Sequence, residues 1–277
     1  MESFETLRPH LFAVAYKMTK SVADAEDIVQ DLFLRFASQE DGAIRDPEAY
    51  WVKAAMNRCL DLLEKKSRVT YIGPDLPEPL YRERFDEVRQ HDVSYALLLL
   101  LQKLNPVERA VFILRETLDY GYDEIAGILG LQVANSRQLF HRAKEKITSD
   151  QVRHTPSQHE RNQLVDAFIS GIGGEVESLL SYLKDDIVIY SDGGGKVSAA
   201  VKPIIGLMAG KAFLQGLLQK FGHLFHVEAT LVNGETGIIF RRMNDGSVDS
   251  VLWADFDGEG VTAFYIIRNP DKLSGWR

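Results

Sequence analysis

The chain has 277 residues, of which 45% are hydrophobic and 26% are charged, a composition typical of a folded protein with two or three domains. Its formal net charge of −8 argues against a surface that binds DNA everywhere, because nonspecific affinity depends on Lys and Arg neutralising phosphates. No apolar run approaches the roughly 18 to 20 residues of a membrane-spanning helix, and the N-terminus lacks a signal-peptide pattern. The single cysteine, Cys59, lies in an apolar helical pattern, so we expect a buried reduced thiol and a cytoplasmic protein.

The first 66 residues have the apolar periodicity of helices. Ser21 is placed to cap a helix whose first turn contains Asp24 and Asp27, where carboxylates stabilise the positive end of the helix dipole. The apolar face of this helix comprises Ile28, Val29, Leu32, Phe33 and Phe36. A further helix begins at Asp46, a capping residue that Pro47 follows, and we expect it to run to about Lys66.

Residues 67–92 interrupt this periodicity with one glycine and three prolines, which predicts an extended linker. The linker also contains apolar side chains, namely Tyr71, Ile72, Leu76, Leu80 and Tyr81. Linkers usually lack such side chains, so we expect this segment to dock on another part of the chain.

Helices resume at 93–104, and Asn105 with Pro106 opens the next one. Residues 122–148 then form a short helix, a turn at Gly130 and a second helix that ends in basic residues, which is the pattern of a helix-turn-helix. An ordinary helical hairpin has the same pattern, so these residues alone leave both interpretations open.

A polar segment at 150–158 predicts a second linker, after which the composition changes. Helices are expected at 163–172, 176–183 and 207–221. Alternating and β-branched runs predict strands at 186–192, 196–201, 226–232, 237–243, 247–256 and 261–268. Helices followed by a mostly antiparallel sheet define an α+β domain.

Six segments, in this order, resemble regions two and four of the extracytoplasmic-function sigma factors across about residues 4 to 148. They are LRPHLFAVAYKM, SVADAEDIVQDLFLRF, DPEAYWVKAAMNRCLDLL, LNPVERAVFILRE, YDEIAGILG and SRQLFHRAKEKI. Three further segments resemble the signatures of the sigma group with a SnoaL-like extension: YIGPDLPEPL, SDGGGK at 191–196 and NPDKL at 269–273.

This resemblance implies a multidomain protein: all-α sigma region two at 1–66, a linker at 67–92, all-α region four with its helix-turn-helix at 93–150, and an α+β SnoaL-like domain at 151–277. The last would have the cone-shaped nuclear-transport-factor-two-like fold. The implied function is that of an alternative sigma factor, which binds core RNA polymerase and directs promoter-specific initiation. Its own C-terminal domain would regulate it, without catalysis or a cofactor.

The resemblance also implies which residues meet each partner. The clamp and the flap of the polymerase's large subunit would both be partners, and the clamp would contact Asp27, Gln30, Asp31 and Arg35. The minus-ten element would meet Tyr50, Trp51, Lys53, Asn57, Arg58, Lys65 and Lys66, which supply an aromatic platform and cations. Tyr50 and Trp51 adjoin on a helix and cannot share a face, so one of them is expected in the core.

The minus-thirty-five element would meet Arg137, Gln138, His141, Arg142 and Lys144. Arg137 can bind guanine in a bidentate manner and Gln138 adenine, while Arg142 and Lys144 position phosphates. Ser136 and Gln132 depart from the usual branched and capping residues of this helix, which predicts a less firmly seated helix.

The implied regulatory contacts lie in the linker and in the two C-terminal signatures. They are Leu76, Pro77, Glu78, Pro79, Asp192, Gly193, Gly194, Gly195, Lys196, Asn269, Pro270, Asp271, Lys272 and Leu273. Asp75 stands where the similar group usually has Trp, so an apolar anchor is missing there. Asn269-Pro270 would end the last strand and leave 271–273 to reach outward.

A second interpretation makes the C-terminal domain an isomerase- or cyclase-like enzyme, with a pocket that holds a small ligand. Its candidate acids and bases are Asp192, Asp249, Asp255, His223 and His226. Alternation places Asp249 and Asp255 on one strand face, either inside the pocket or on the outer face. A stand-alone repressor is a third interpretation, but it leaves residues 1–66 unexplained. SDGGGK lacks the Walker spacing, and no residue cluster has metal-site spacing.

Overall fold

The computed structural model describes residues 2–37, 46–67, 71–148, 157–172 and 174–276. The chain divides into two compact units, one formed by residues 1–70 with 84–151 and the other by residues 71–83 with 152–277. The predicted linker is therefore divided between the two units, because residues 71–83 belong to the second unit and residues 84–92 to the first. Among the described residues no helix is both long and apolar enough to cross a membrane.

The regular elements in the described part of the first unit are all helical. Its helices are α1 (Glu2–Thr19), α2 (Val22–Ala37), α3 (Pro47–Lys66), α4 (Arg82–Val88), α5 (Tyr95–Gln102), α6 (Pro106–Phe112), α7 (Tyr122–Leu129) and α8 (Val133–Thr148), with a π-helical turn at Ile113–Thr117. Helix α4, which starts at the boundary between the units, lies within the predicted linker, so the prediction of an extended segment over 67–92 is wrong for 82–88. Arg84 and Val88 are buried there, and that packing outweighs the flanking prolines.

Local signals account for the helix ends. The Ser21 hydroxyl accepts the Asp24 amide at 3.3 Å, and the Asp46 carboxylate accepts the Ala49 amide at 3.0 Å. Asn105 and Glu108 form a reciprocal capping box. Gly130 ends α7 in the left-handed conformation at φ 66°, which only glycine adopts without strain. These predicted caps and the turn between α7 and α8 are confirmed.

A buried arginine joins the N-terminal and later helices of the first unit. Arg109, on α6, is 5% exposed. Its Nε donates to the Leu101 carbonyl at 2.9 Å and its Nη2 to the Leu104 carbonyl at 3.1 Å. A third bond runs from Nη1 to the carbonyl of Met18, at the C-terminal end of α1. A buried charge is tolerated only when it is hydrogen-bonded in this way.

The second unit is a mixed α and β domain. It contains α9 (Gln158–Ile172), α10 (Val176–Leu180), β1 (Leu183–Asp192), β2 (Ile204–Ile205), α11 (Leu207–Phe221), β3 (Phe225–Val232), β4 (Glu235–Arg242), β5 (Val248–Phe256), β6 (Val261–Ile267) and a 3₁₀ turn at Pro270–Leu273. The strand order is β2-β1-β6-β5-β4-β3. Only β1 and β6 pair in parallel, so the mostly antiparallel sheet is confirmed.

The strand predicted at 196–201 is wrong. Those residues form a turn and irregular chain, and the short strand β2 follows them. The reason lies just before, because Gly194 and Gly195 adopt positive φ of 61° and 69° and turn the backbone out of the sheet.

The two faces of the sheet have different neighbours. Helices α9, α10 and α11 pack on one face, where Phe168, Leu214, Leu252 and Phe264 belong to a single apolar core. The alternation of β5 turns Asp249, Val251, Trp253 and Asp255 to the other face. The acids of this strand point away from the helices, yet Asp249 and Asp255 are only 6% and 5% exposed, so the face they lie on is covered and not wet.

Candidate nucleic-acid interface and the Asp192 site

Helix α2 exposes the polar side chains assigned to polymerase. Its apolar residues Ile28, Val29 and Leu32 are buried, so Asp27, Gln30 and Arg35 are exposed while Asp31 is half-buried. A cleft of about 130 Å³ lies beside Asp27 and Asp31, and a larger one of about 660 Å³ beside Gln30. Amphipathicity thus places these four residues on an exposed ridge of α2, and three of them, Asp27, Gln30 and Asp31, lie at the two grooves.

The two adjoining aromatic residues of α3 have different environments. Trp51 is 1% exposed and packs edge-on against Phe4, with ring centroids 5.7 Å apart. Tyr50 is 42% exposed. Trp51 is therefore the core residue and does not reach DNA in this conformation, whereas Tyr50 shares an exposed helix face with Lys53 and Asn57.

Several cations assigned to minus-ten DNA have protein partners. Arg58 pairs with Asp31, and Lys66 with Asp24 at 2.6 Å. Lys53 donates to the carbonyl of Gly127, on α7, at 2.7 Å, while Lys65 lies at the smaller cleft beside α2. The Arg58 and Lys66 side chains are 36% and 53% exposed, so phosphates can reach both cations.

The helix α8 exposes all five side chains assigned to the minus-thirty-five element, which are Arg137, Gln138, His141, Arg142 and Lys144. Ser136, Leu139 and Ala143 are buried beneath them. The Lys144 ammonium lies 3.3 Å from Glu116. Lys146 differs from these because it binds both oxygens of Glu108, which is 2% exposed, at 2.8 and 2.6 Å. It therefore stabilises the attachment of α8 to α6.

In the second unit, Asp192 at the end of β1 is fully buried and binds several groups at once. Its carboxylate accepts the Leu76 amide at 3.1 Å, the Gly194 amide at 2.9 Å and the Tyr71 hydroxyl. The Lys272 ammonium lies 2.8 Å away. Burial and the hydrogen bond to Asp192 raise the pKa of Tyr71 to about 12, so Tyr71 stays a neutral donor at physiological pH.

Lys272 extends this site to the linker. Its ammonium binds Asp75 at 2.6 Å and the carbonyl of Leu76. Burial alone would lower the pKa of Lys272, but the carboxylates of Asp75 and Asp192 raise it above its usual range. Asp75, which was expected only to cost an apolar anchor, instead supplies an ion pair.

The two C-terminal signatures meet at the same place. Gly194 packs so closely on the Asn269 side chain that an added Cβ would overlap it. Asn269 caps the 3₁₀ turn by accepting the Asp271 amide at 3.1 Å and donates to the Tyr71 hydroxyl at 3.0 Å. Lys196 pairs with Asp271 at 2.6 Å. Residues 271–273 do not all reach outward as expected, because Leu273 is 6% exposed.

The middle of the linker is buried, and a second set of hydrogen bonds, from Asn233 and Trp276, holds its end. The residues Leu76, Pro77, Glu78, Pro79 and Leu80 are all buried. The Asn233 side-chain oxygen accepts the Leu80 backbone amide at 2.9 Å, and the Asn233 backbone N–H donates to the Leu80 carbonyl at 3.1 Å. The indole of Trp276 donates to the Pro79 carbonyl at 3.3 Å.

Sequence reasoning missed Asn233 and Trp276. The pair Asn233-Gly234 is a hairpin-turn signal that predicts the turn between β3 and β4, and Asn233 adopts φ 50° there. That signal gives no indication that the turn also binds the linker, 153 residues earlier.

The other candidate acids and bases do not converge. Asp249 binds Arg242 and Arg268 at 2.8 and 3.0 Å, and Asp255 accepts the Tyr265 hydroxyl at 2.8 Å. His223 and His226 are both exposed. Between helix α9 and strands β4 and β5 the structure leaves only about 10 Å³, the space of about one water molecule.

Comparison with known proteins agrees with these features. The family models that match are Sigma-70 region 2, over residues 4–69, and Sigma-70 region 4, over residues 94–147. The chain is 33% identical over 293 residues to the extracytoplasmic-function (ECF) RNA polymerase sigma factor SigJ of Mycobacterium tuberculosis, covering 99% of this chain and 93% of SigJ. It is 29% identical to the probable ECF sigma factor SigI of that organism, over 64% of each chain.

The crystal structure of SigJ matches with a TM-score of 0.79 and 30% identity, and the match covers 99% of this chain and 98% of that one. A sigma region two that is followed along the chain by an exposed basic helix-turn-helix defines a transcription initiation factor, which binds core RNA polymerase and promoter DNA. The chain belongs to the family of ECF RNA polymerase sigma factors.

Proposed function

We propose that the first unit meets polymerase and promoter through three faces. The ridge of α2 binds the clamp of the large subunit, the exposed face of α3 with Tyr50, Lys53 and Asn57 binds the minus-ten element, and α8 reads the minus-thirty-five element. The flap of the large subunit binds region four. The burial of most apolar side chains of α2 and α8 supports this assignment, because the sides left for partners are mainly polar.

We infer that the second unit is a SnoaL-like domain with the nuclear-transport-factor-two-like fold, and that it regulates the sigma factor through the linker. The observation that carries this proposal is the set of bonds around Asp192. Lys272 from one C-terminal signature and Asp192 from the other hold Asp75 and Leu76 of the linker. The linker joins regions two and four along the chain, so holding it restricts the arrangements available to those regions.

Enzymatic activity is not proposed for this domain. Asp192 and Asp249 are engaged with cations, Asp255 with a hydroxyl, and the two candidate histidines lie on the surface. The buried side of the sheet is filled by apolar side chains, so we assign no small ligand to it.

Run-off transcription with core polymerase tests the proposal. The full chain and a chain that ends after Arg268 are compared on a promoter with both elements, with circular dichroism as the folding control. We expect altered transcription from the shortened chain, together with larger dimensions by small-angle scattering. Unchanged activity with unchanged dimensions would refute regulation through the linker.

The promoter assignments have a separate test. Alanine at Arg137 or Gln138 should cost about 1 to 3 kcal/mol at one base pair of the upstream element. Alanine at Lys144 should weaken binding to all sequences alike, since a phosphate contact contains no sequence information. A sequence-selective effect at Lys144 would overturn the assignment of the DNA-reading face.

A further inference from the structure

The guanidinium of Arg137 lies over an aromatic ring that belongs to the other helix of the helix-turn-helix. Its Cζ is 5.5 Å from the centroid of the Tyr122 ring. Tyr122 is the first residue of α7, whereas Arg137 is on the exposed side of α8. This distance is within the range of cation–π attraction.

Tyr122 is itself held in place. Its ring meets Phe140 edge-on at 6.1 Å, and Phe140 stacks on Phe112, at 6.1 Å. Phe112 is 7% exposed, so this aromatic series is anchored in the core. The first turn of α7 is fixed by Glu124, which accepts the Gly121 amide at 2.7 Å.

A second arginine near the same ring has other bonds. The Cζ of Arg115 lies 5.2 Å from the Tyr122 centroid, but its Nη1 donates to the Tyr120 carbonyl at 2.9 Å and lies 3.6 Å from Asp119. Arg115 is therefore tied to its own loop. Arg137 is the cation at this ring whose side chain is free to point into a groove of DNA.

We propose that Tyr122 is a positioning residue for base recognition, which holds the Arg137 guanidinium in the orientation that binds a base edge. Bidentate recognition of guanine requires a fixed plane and direction, whereas an exposed arginine otherwise samples many rotamers. The inference rests on the proposed role of Arg137. Loss of a cation–π contact at an exposed site predicts a loss of base preference of roughly two- to fivefold.

The test uses the full chain with core polymerase and a promoter library randomised across the upstream element. The variants are Arg137→Ala, Tyr122→Leu, Tyr122→Phe and the double variant Tyr122→Leu with Arg137→Ala. Tyr122→Leu keeps an apolar contact with Phe140 but removes the aromatic face, whereas Tyr122→Phe keeps that face and removes only the hydroxyl.

We expect Arg137→Ala to reduce preference at one base pair by roughly 5- to 150-fold. Tyr122→Leu should reduce it there by roughly two- to fivefold, leaving the other positions unchanged. Tyr122→Phe should retain the preference, and the double variant should equal Arg137→Ala. A general loss of folding or of phosphate contacts would instead lower transcription at all sequences alike. If Tyr122→Leu lowers the melting temperature, Tyr122→Met provides the same comparison.

Three outcomes would overturn the inference while leaving the role of Arg137 intact. They are an unchanged preference in Tyr122→Leu, an equal loss in Tyr122→Phe, which would identify the hydroxyl as the active group, and additive losses in the double variant. If Arg137→Ala alters no base preference, the proposed base contact is refuted, and the positioning role with it.

Discussion

Lys53 on α3 donates a hydrogen bond from Nζ to the carbonyl oxygen of Gly127 on α7, over 2.7 Å. The first of these helices is assigned to the minus-ten element and the second belongs to the helix-turn-helix for the minus-thirty-five element. Those elements are about 25 base pairs apart, or roughly 85 Å along B-DNA at 3.4 Å per base pair. On the proposed assignments, the two helices could not read both elements while this hydrogen bond is present, so the first unit would have to open on the promoter.

Joining positions 53 and 127 covalently should block initiation. The variant combines Lys53→Cys with Gly127→Cys, and a short bismaleimide links the thiols. Position 127 has room for a side chain. Cys59 should not react, because it is fully buried and burial raises the pKa of its thiol. We expect run-off transcription to be lost on cross-linking relative to the untreated double variant, with each single variant as control. Full activity after complete cross-linking would contradict the opening.

Lys146 should prove structural rather than DNA-binding. Lys146→Met leaves Glu108 buried without its cation, which should lower the free energy of unfolding by roughly 1 to 3 kcal/mol. Burial would raise the pKa of Glu108, but Lys146 and the Asn105 amide lower it below its ordinary 4.5. The Lys146–Glu108 pair therefore stabilises the fold above pH 4.5, and this stabilisation is lost as pH falls below 4.5. Denaturant unfolding measures both effects. Arg142→Ala removes an exposed cation one turn earlier that also lowers the pKa of Glu108, so it should reduce stability less than Lys146→Met does.

Lys272 and Lys196 allow a matched comparison in the second unit, because each forms an ion pair with an aspartate. Lys272→Met leaves the fully buried Asp192 without a cation and should cost roughly 2 to 4 kcal/mol. Lys196→Met removes an ion pair whose side chains are 55% and 64% exposed, and should cost less than about 1 kcal/mol. Thermal and denaturant unfolding compare them. Equal losses in the two variants would contradict the special role of Asp192.

Asn233 should anchor the end of the linker independently of Asp192. Asn233→Gly keeps the positive φ of the turn but removes the acceptor of the buried Leu80 amide, at a cost of about 1 to 3 kcal/mol. Hydrogen exchange at Leu80 should become roughly 5- to 150-fold faster, while the Leu76 amide, held by Asp192, serves as the internal control. Equal acceleration at both amides would indicate that the linker detaches as one piece.

The first unit should lose stability on acidification. His10 and His91 lie with ring centroids 5.0 Å apart, and burial lowers the pKa of each below 6.5, against an opposing effect of Glu48 on His10. On acidification the unfolded chain therefore binds protons at a higher pH than the folded chain does. The free energy of unfolding thus falls as pH drops below 6.5. Replacement of both histidines by Gln should flatten this dependence, as followed by hydrogen exchange in α1.

Lys17 titrates in another range. Burial lowers the pKa of this ammonium to about 8, although Asp92 opposes the shift. Burying the charged ammonium therefore lowers the free energy of unfolding at neutral pH, and this loss is relieved as pH rises from about 8 to 10.5. The dependence above pH 8 should persist in the His10 and His91 variant, which separates the two effects.

Much of the fold follows from signals within a few residues of each other. Ser21, Asp46 and Asn105 cap their helices as predicted, and the helix predicted at 207–221 is α11. Capping and periodicity depend on neighbouring backbone groups, so the sequence contains them directly. The strand predicted at 196–201 fails because adjacent glycines turn the chain, and α4 was missed because tertiary burial stabilises it.

The sites depended on contacts between distant segments. Periodicity could say that Tyr50 and Trp51 face different ways, but only packing against Phe4 decided that Trp51 is inside. The signatures pointed to Asp192 and Lys272, yet the Asp75 ion pair spans 197 positions and the Asn233 contact with Leu80 spans 153. The sequence by itself therefore determined most of the helices, most strands and the sigma class. Only the tertiary structure decided which charges are paired and what the linker binds, because such partners are chosen by proximity in space.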